Sequence, residues 1–365
     1  MRKRIYSAVA VAAVSALALG ACGTPDDSGS EETTSGPPTT AAAEDTAEPD
    51  FQACMVSDEG GFDDKSFNQS TYEGLEKAKT DLGIATQALE SNDPSDFAQN
   101  LDQLVSSNCN LIITVGFNLS DATKAAAEAN PDINYAIVDD SQISAPNVKS
   151  VVYATQEAAF LAGYAAASYS KTGSVGTFGG MQIPTVTIFM DGFADGVAQY
   201  NQAKGKDVKV IGWDKGQQDG LFTGDFSDVA KGKTTSETLI SQGADVIMPV
   251  AGPVGAGASA AAKDKGDVAI VWVDADGYVT TEFQDIMLTS VMKLMGEAVE
   301  AIVKDAMEGK FTSDAYIGTL ANGGVAMAPF HDFESQISDE TKAELDDLKA
   351  KIASGELVVD SRSAP

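Results

Sequence analysis

From residue 51 onward the chain alternates short apolar runs with stretches of helical periodicity. Nine apolar runs are predicted strands, with the sequences FQACMVS, IATQALE, LIITVG, NYAIVDD, VKSVVYA, GSVGTFGG, DVKVIGWD, ADVIMPVA and VAIVWVDAD. Between most of them residues of one helical face recur, as in Phe67, Thr71, Leu75, Ala78 and Leu82. This alternation is typical of α/β proteins, in which helices cover both faces of a parallel sheet. The strands outnumber those of one ordinary doubly wound sheet, so we predict two sheets.

Residues that directly follow the predicted strands are candidates for ligand binding. In an open parallel sheet the ligand crevice lies at the carboxyl ends of the strands. Acids, aromatic residues and glycine collect at these points, namely at Asp58, Phe117, Asp139, Asp140, Gly179, Gly180, Trp213, Asp214, Gly252 and Asp274. Ordinary turn chemistry also places polar residues and glycine after strands, and it remains the alternative for any single position.

The junction between the first strand and the first helix, SDEGGFDDKSFNQ, has the residue types of a binding site. Asp58 ends the strand, and Phe67 and Asn68 lie in the first turn of the predicted helix. An aromatic face, a carboxylate acceptor and an amide suit a flat heterocycle that carries hydroxyl groups. The acids Asp63 and Asp64 are predicted to cap the helix, because carboxylates are favourable near helix N-termini.

Two motifs suggest enzymes, and both are incomplete. The stretch Gly255 to Ala260 has the form of a dinucleotide fingerprint with Asp274 or Asp276 downstream, but it lies late in the chain and no catalytic constellation accompanies it. Ser290 and Lys293 form an SxxK motif, but the KTG motif at residues 171–173 precedes it, in the reverse of the order that penicillin-binding proteins have.

Metal and triad chemistry lack the necessary residues. His331 is the only histidine, so neither a zinc site with several histidines nor a Ser-His-Asp triad can be assembled. The segment DADGYVTTEFQD begins like a calcium loop but lacks the acid at the fifth position and the glycine at the sixth. We therefore predict a protein that is not an enzyme and that needs no cofactor or metal.

The N-terminal segment predicts export and a lipid anchor. Arg2, Lys3 and Arg4 precede an Ala/Val/Leu stretch that ends in LGAC at Cys22, which resembles the lipobox of bacterial lipoproteins. The alternative is an ordinary signal peptide, cleaved nearby. The apolar stretch is too short for a durable membrane span. We expect residues 1–22 to be a signal peptide, Cys22 to be lipidated, and the protein to be held on the extracytoplasmic face of the cell membrane.

Residues 23–50 contain Thr, Ser, Pro, Ala, Glu and Asp without any basic residue, which predicts a disordered acidic tether. The whole chain has a formal net charge of -30. Such a chain repels the phosphates of nucleic acids, so nucleic acid is excluded as a partner.

Two cysteines remain after Cys22. Cys54 lies in the first predicted strand, and Cys109 comes just before the third. If the first sheet has the strand order 2-1-3-4-5, these two strands are neighbours. We predict a disulfide between Cys54 and Cys109, as an exported protein can keep one. Two buried free thiols are the alternative.

Six segments resemble, in order, the basic membrane protein family of ABC-transporter substrate-binding lipoproteins. They are SDEGGFDDKSFNQSTYEGL, EAAFLAGYAAASYSKTGSVGTFGG, IPTVTIFMDGFADG, GADVIMPVAG, LTSVMK and GGVAMAPF. The resemblance implies the type I periplasmic binding protein fold, with two doubly wound parallel-sheet lobes joined by three crossing segments. We expect residues 51–154 and 277–318 in the N-terminal lobe and residues 155–276 and 319–362 in the C-terminal lobe.

The resemblance also implies a ligand and a set of binding residues. The well-understood members of the family bind purine nucleosides, which they hold between two aromatic rings while carboxylates and a lysine take the polar groups. Carried over onto this chain, the ligand-binding positions are Asp58, Phe67, Asn68, Asp140, Phe189, Gly252, Asp274 and Lys293, with Asp139 as a substitute for Asp140. After Asp274 the family commonly reads Ser-Asp-Gln, whereas this chain has Ala-Asp-Gly, which leaves the base preference open.

The expected function is therefore that of a lipid-anchored receptor that captures inosine, guanosine or adenosine and delivers it to an ABC permease. Two alternatives use the same cleft. One is a receptor for a sugar or another small polar solute, and the other is a sensory module that signals to a membrane protein.

Overall fold

The computed structural model describes residues 50–365, which form strands and helices in alternation. The strands are β1 (Gln52–Val56), β2 (Ala85–Leu89), β3 (Leu111–Val115), β4 (Asn134–Val138), β5 (Val148–Tyr153), β6 (Ser174–Gly179), β7 (Lys209–Ile211), β8 (Trp213–Asp214), β9 (Asp219–Gly220), β10 (Val246–Val250), β11 (Ala269–Asp274), β12 (Met287–Lys293), β13 (Tyr316–Gly318) and β14 (Val325–Met327). The α-helices are α1 (Phe67–Leu82), α2 (Asp96–Ser106), α3 (Ser120–Ala129), α4 (Thr155–Tyr169), α5 (Pro184–Lys204), α6 (Val229–Ser241), α7 (Gly255–Lys265), α8 (Gly277–Thr280), α9 (Met295–Met307) and α10 (Asp339–Ala353). None of the helices in this range is both long and apolar enough to cross a membrane.

Two six-stranded sheets form the centres of two lobes, which confirms the predicted α/β class. The first sheet has the order β2-β1-β3-β4-β5-β13 and is parallel throughout. The second has the order β7-β6-β10-β11-β12-β14, with only the edge strand β14 antiparallel. The predicted order 2-1-3-4-5 is thus present in the first sheet.

Burial follows the sequence pattern. Every residue of β3 is buried, as its unbroken apolar run predicts for a parallel strand that is covered on both faces. Helix α1 buries one face, which includes Thr71, Leu75 and Ala78. The helix ends at Gly83, where the backbone is left-handed and the N–H group caps the carbonyl of Lys79.

The chain crosses between the lobes three times, in the segments between β5 and α4, between β12 and α9, and between β13 and β14. Strand β12 belongs to the second sheet, where it pairs with β11. The expected assignment of residues 277–318 to the N-terminal lobe is therefore wrong up to Lys293. The error arose because LTSVMK contains threonine and serine, so its apolar content is too low to indicate a buried strand.

The segment DVKVIGWD differs from its prediction as a single strand. It divides at Gly212, whose φ of 88° only glycine adopts readily. The first part, β7, joins the second sheet, and the second part, β8, pairs with β9 in a small antiparallel ribbon. Trp213 is consequently buried, and its indole N–H donates a 3.0 Å hydrogen bond to the carboxylate of Asp191.

A disulfide joins Cys54 in β1 to Cys109, which lies before β3. The two strands are adjacent in the first sheet, with Ala53 beside Leu111, and the two Cα atoms are 5.9 Å apart. The bond closes a loop with a sequence separation of 55 residues, which contains α1, β2 and α2.

We predict that replacing both cysteines, as Cys54→Ala with Cys109→Ala, lowers the free energy of unfolding by about 4 kcal/mol, the loop-closure contribution for a loop of this length. Urea unfolding at equilibrium measures the change. Peptide mapping of the non-reduced wild type serves as the control for the bond itself. An unchanged unfolding midpoint together with two alkylatable thiols in the denatured wild type would contradict the prediction.

Candidate functional site

A cavity lies between the carboxyl ends of the two sheets, where the fold brings together residues that are far apart in sequence. Its empty volume is about 590 Å³, which includes space open to solvent. Eight of the candidate residues line it, namely Asp58, Phe67, Asn68, Asp139, Phe189, Gly252, Asp274 and Lys293. Asp140 does not line this cavity; its carboxylate accepts a hydrogen bond from the backbone N–H of Gln142.

Two phenyl rings from opposite lobes border the same gap. Phe67 is the first residue of α1 in the first lobe, and Phe189 lies in α5 of the second. The Lys293 ammonium lies 5.0 Å from the ring centroid of Phe67 and 5.1 Å from that of Phe189, close enough for attraction to both rings. The two centroids are thus no farther apart than the sum of these distances.

A buried ionic cluster forms one wall of the cavity. Lys293, at the end of β12, pairs with Asp139 of the first lobe, and its Nζ atom is 3.5 Å from Oδ1 of Asp274 in the second. Its side chain is only 3% exposed. Burial alone would lower the pKa of Lys293, but the two carboxylates outweigh it and raise the pKa above the ordinary value, so the lysine is charged.

The backbone turns sharply at three of these positions. Asp139, Asp274 and Gly252 have φ angles of 65°, 69° and 52°, in the left-handed region. Aspartate tolerates this region better than most residues, and a left-handed residue other than glycine costs roughly 1–2 kcal/mol. Such conformations persist only where the surrounding structure holds them, and they are found mainly at functional sites.

The opening motif forms a second polar wall. The side-chain amide of Asn68 donates a 2.7 Å hydrogen bond to Oδ1 of Asp58, which also accepts from the N–H of Gly60. Burial raises the pKa of Asp58 to about 7, against the lowering effect of these hydrogen bonds. The other amide atom, Oδ1 of Asn68, is buried and has no hydrogen-bond donor within residues 50–365. It is thus an unsatisfied hydrogen-bond acceptor in this wall.

Asp64 caps the helix that carries Phe67 and Asn68. Its carboxylate accepts hydrogen bonds from the backbone N–H groups of Ser66, Asn68 and Gln69. Burial raises the pKa of Asp64 to about 6, and these hydrogen bonds oppose the rise. Of the two acids predicted to cap the helix, only Asp64 does so, since Asp63 is exposed and pairs with Lys65.

The apolar walls were largely missed by the sequence analysis. Ile183 and Val186 come from the start of α5, and Phe226 comes from a loop with no periodicity to mark it. The ring of Phe226 approaches Gly180 so closely that a Cβ atom there would lie 2.3 Å from it. In the sequence, the only indication of this aromatic wall was Gly180, a glycine that follows a strand. Phe117, which also follows a strand, lines the cavity as well.

The residues of the two enzyme-like motifs have structural partners. Gly257 of the fingerprint-like segment packs on α6, because a Cβ atom there would lie 2.0 Å from the carbonyl oxygen of Val229. The Ser290 hydroxyl accepts a hydrogen bond from the N–H of Gly277. His331 pairs with Asp276 and is absent from the lining of the cavity. In the part of the chain from residue 50 onward, no three His, Cys, Asp or Glu side chains are grouped to hold a metal ion.

The comparisons with known proteins agree with this architecture. Residues 51–363 match the Bmp family model, described as "ABC transporter substrate-binding protein PnrA-like". A relative from Lactococcus lactis subsp. cremoris, named ABC transporter nucleoside-binding protein BmpA, is 34% identical over 96% of this chain and 99% of its own. Basic membrane protein A of Borreliella burgdorferi is 33% identical over 83% of this chain and 86% of its own.

A solved structure has the same two-lobed fold. It is that of an ABC transporter system solute-binding protein from Aeropyrum pernix, with a TM-score of 0.76 and 27% identity, covering 85% of this chain and 94% of its own. The family match spans both lobes and all the residues that line the cavity. The chain therefore belongs to the Bmp family of PnrA-like ABC transporter substrate-binding proteins.

Proposed function

We propose that this protein binds a purine nucleoside in the interlobe cavity and delivers it to an ABC permease, while a lipid on Cys22 holds it at the extracytoplasmic face of the membrane. The observation that carries the proposal is that Phe67 and Phe189, from opposite lobes, border one gap whose edge is lined by carboxylates and Lys293. The name of the Lactococcus relative, a nucleoside-binding protein, supports the same ligand class.

The two rings suit a base that stacks on both of its faces. A clamp of this kind needs about 7–8 Å between the rings, twice the contact distance of carbon atoms. The distances from the Lys293 ammonium to the two ring centroids set an upper limit on the ring separation, and this limit lies above the distance that a clamp needs. Stacking of a base on an aromatic side chain contributes roughly 1–3 kcal/mol and tolerates either purine.

Different polar residues of the cavity would bind the sugar and the base. Asp139 and Asp274 are acceptors for ribose hydroxyls, and hydrogen bonds to ionised groups contribute roughly 1.5–3 kcal/mol each. Lys293 offsets the repulsion between these carboxylates. Asp58 and the unpartnered oxygen of Asn68 are acceptors for N–H groups on the edge of a purine base. Among the residues that line the cavity, Lys293 is the only cation, so a nucleotide phosphate meets mostly carboxylates.

The membrane anchor rests on the sequence alone. The signal peptide, Cys22 and all but the last residue of the acidic tether lie outside the described residues. The LGAC motif and the tether together suit a receptor that stays near its permease while its lobes remain free to open and close.

We predict binding of guanosine, inosine or adenosine with micromolar or better affinity and much weaker binding of cytidine and of guanosine 5′-monophosphate. Isothermal titration of the purified protein measures this series, with ribose as the control for recognition of the sugar alone. Absence of heat with every purine nucleoside would refute the ligand class. Tight binding of ribose would favour a sugar receptor.

We predict that Phe67→Ala lowers nucleoside affinity at least tenfold, since it removes one face of the stack. We expect Asp274→Ala to lower nucleoside affinity by a similar factor, because it removes a hydrogen-bond acceptor and disturbs the charge balance around Lys293. Phe62→Ala is the matched control, because Phe62 lies five residues before Phe67 and stacks on Tyr72 without lining the cavity. Equal losses in Phe67→Ala and Phe62→Ala would speak against a role for the Phe67 ring in binding.

The raised pKa of Asp58 predicts an unusual dependence of stability on pH. Its folded-state pKa of about 7 exceeds the ordinary value, so the folded protein holds a proton that the unfolded chain has lost between about pH 4 and pH 7. The contribution of Asp58 to stability is therefore fully present at acidic pH and is lost as the pH rises through 7.

We predict that Asp58→Asn raises the free energy of unfolding by at least about 1 kcal/mol at pH 8 and changes it little at pH 4. Asparagine keeps the acceptor for the Asn68 amide and removes the buried charge. Urea unfolding at the two pH values, with wild type alongside, measures the difference. An equal change in the free energy of unfolding at pH 4 and pH 8, or no gain at pH 8, would be incompatible with a protonation effect.

A further inference from the structure

Outside the cavity lining, one set of contacts between the two lobes is centred on a backbone carbonyl of the first lobe. The carbonyl oxygen of Lys65 accepts a 3.2 Å hydrogen bond from the indole N–H of Trp272 and a 2.9 Å hydrogen bond from the hydroxyl of Thr280. Trp272 lies in β11 and Thr280 ends α8, both in the second lobe. A carbonyl oxygen has two lone pairs, so two donors saturate it. The next residue, Ser66, has its hydroxyl 3.0 Å from Oδ2 of Asp274.

The backbone of Lys65 is shaped for this contact. Its φ of 60° lies in the left-handed region, which costs a lysine roughly 1–2 kcal/mol. Such a conformation persists only where surrounding contacts hold it. The two donors from the second lobe provide such contacts, and they act two residues before Phe67.

The indole of Trp272 is fixed in one orientation. Trp272 is only 1% exposed, and glycines pack on two sides of it. A Cβ atom at Gly277 would lie 2.6 Å from Cβ and Cγ of Trp272, and one at Gly255 would lie 3.0 Å from the far edge of the ring. Larger residues do not fit at either position without displacing the indole. The N–H group is therefore held pointing at the first lobe.

The hydroxyl of Thr280 has a second acceptor inside its own lobe. It lies 3.2 Å from the carbonyl oxygen of Asp276, in addition to that of Lys65. When the lobes separate, the hydroxyl keeps a partner, whereas the carbonyl of Lys65 and the indole of Trp272 must turn to water. The contact is thus reversible at a moderate cost in free energy.

We propose that Trp272 and Thr280 form an interlobe latch on the Lys65 carbonyl, which holds the cleft closed and slows the escape of the bound solute. Both are positioning residues, since neither lines the cavity. The latch aligns the first turn of α1, which carries Phe67 and Asn68, against the second lobe. Its role in retaining a nucleoside rests on the proposed function, whereas its role in closure does not.

The two tryptophans of the chain provide a test that needs no solute. The indole of Trp272 bonds across the cleft, whereas that of Trp213 bonds to Asp191 within the second lobe. In the full chain labelled with ¹⁵N-tryptophan, hydrogen exchange of the two indole N–H groups reports opening of the cleft and local opening separately. We expect Thr280→Val to accelerate exchange at Trp272 roughly three- to tenfold, the loss of one hydrogen bond, and to leave Trp213 unchanged.

Thr281→Val is the matched control. The Thr281 hydroxyl donates a 2.7 Å hydrogen bond to the carbonyl of Gly277 inside the second lobe, so its loss should leave the exchange of Trp272 within about twofold of wild type. Thr280→Ser keeps the hydroxyl and should restore the slow exchange. Equal acceleration in the Thr280 and Thr281 valine variants, or acceleration of Trp213 as well, would overturn the latch.

A second test examines retention of the solute and uses guanosine as the probe. Guanosine should slow exchange at Trp272 in the wild type, and stopped-flow measurement should show it leaving Thr280→Val several-fold faster than Thr281→Val. Equal dissociation rates from these variants would overturn the role in retention. If guanosine does not bind at all, the proposed function fails, while the solute-free exchange still decides whether the latch exists.

Discussion

The buried lysine at the end of β12 is the interaction on which the cavity depends. Four carboxylates line this space, those of Asp58, Asp64, Asp139 and Asp274, and Lys293 is the only cation among its lining residues. Removal of one partner from a buried ion pair costs roughly 3–5 kcal/mol, because the remaining charge is left without compensation. Because Asp139 belongs to the first lobe and Lys293 to a strand of the second sheet, this charge balance also joins the lobes.

The parallel sheets explain why residues so distant in sequence meet at one place. The carboxyl ends of β4, β10 and β11 all face the cleft, and each is followed or ended by a residue with left-handed backbone. The sharp turns at Asp139 and Asp274 bring their carboxylates within reach of Lys293 rather than extending the strands. The sheets fix where Asp139 and Asp274 lie, and the left-handed backbone at these two residues sets the direction of their side chains.

The predictability of each element depended on whether its signal was local. The first five strands have strong local patterns, whereas the adjacency of β1 and β3, and with it the pairing of Cys54 with Cys109, depended on assuming the strand order of a doubly wound fold. The family resemblance supplied Phe189 and Lys293, whose roles no local pattern indicates. Periodicity missed β12, and it could not identify Phe226, because a loop residue is positioned by distant packing. The choice between Asp139 and Asp140 required the backbone turn, which one sequence does not specify.

Some contacts between the lobes lie in the cavity wall, where a solute would touch them, and others lie outside the cavity. The Asp139–Lys293 pair lies in the cavity wall, so a solute that binds the Asp139 carboxylate alters this contact directly. The hydrogen bonds to the Lys65 carbonyl lie outside the cavity, and a solute reaches them only through the position of the lobes. Each such bond is weak, contributing roughly 0.5–1.5 kcal/mol, so closure stays reversible. The proposed delivery to a permease needs this property, since a cleft held by many strong contacts would release the solute too slowly.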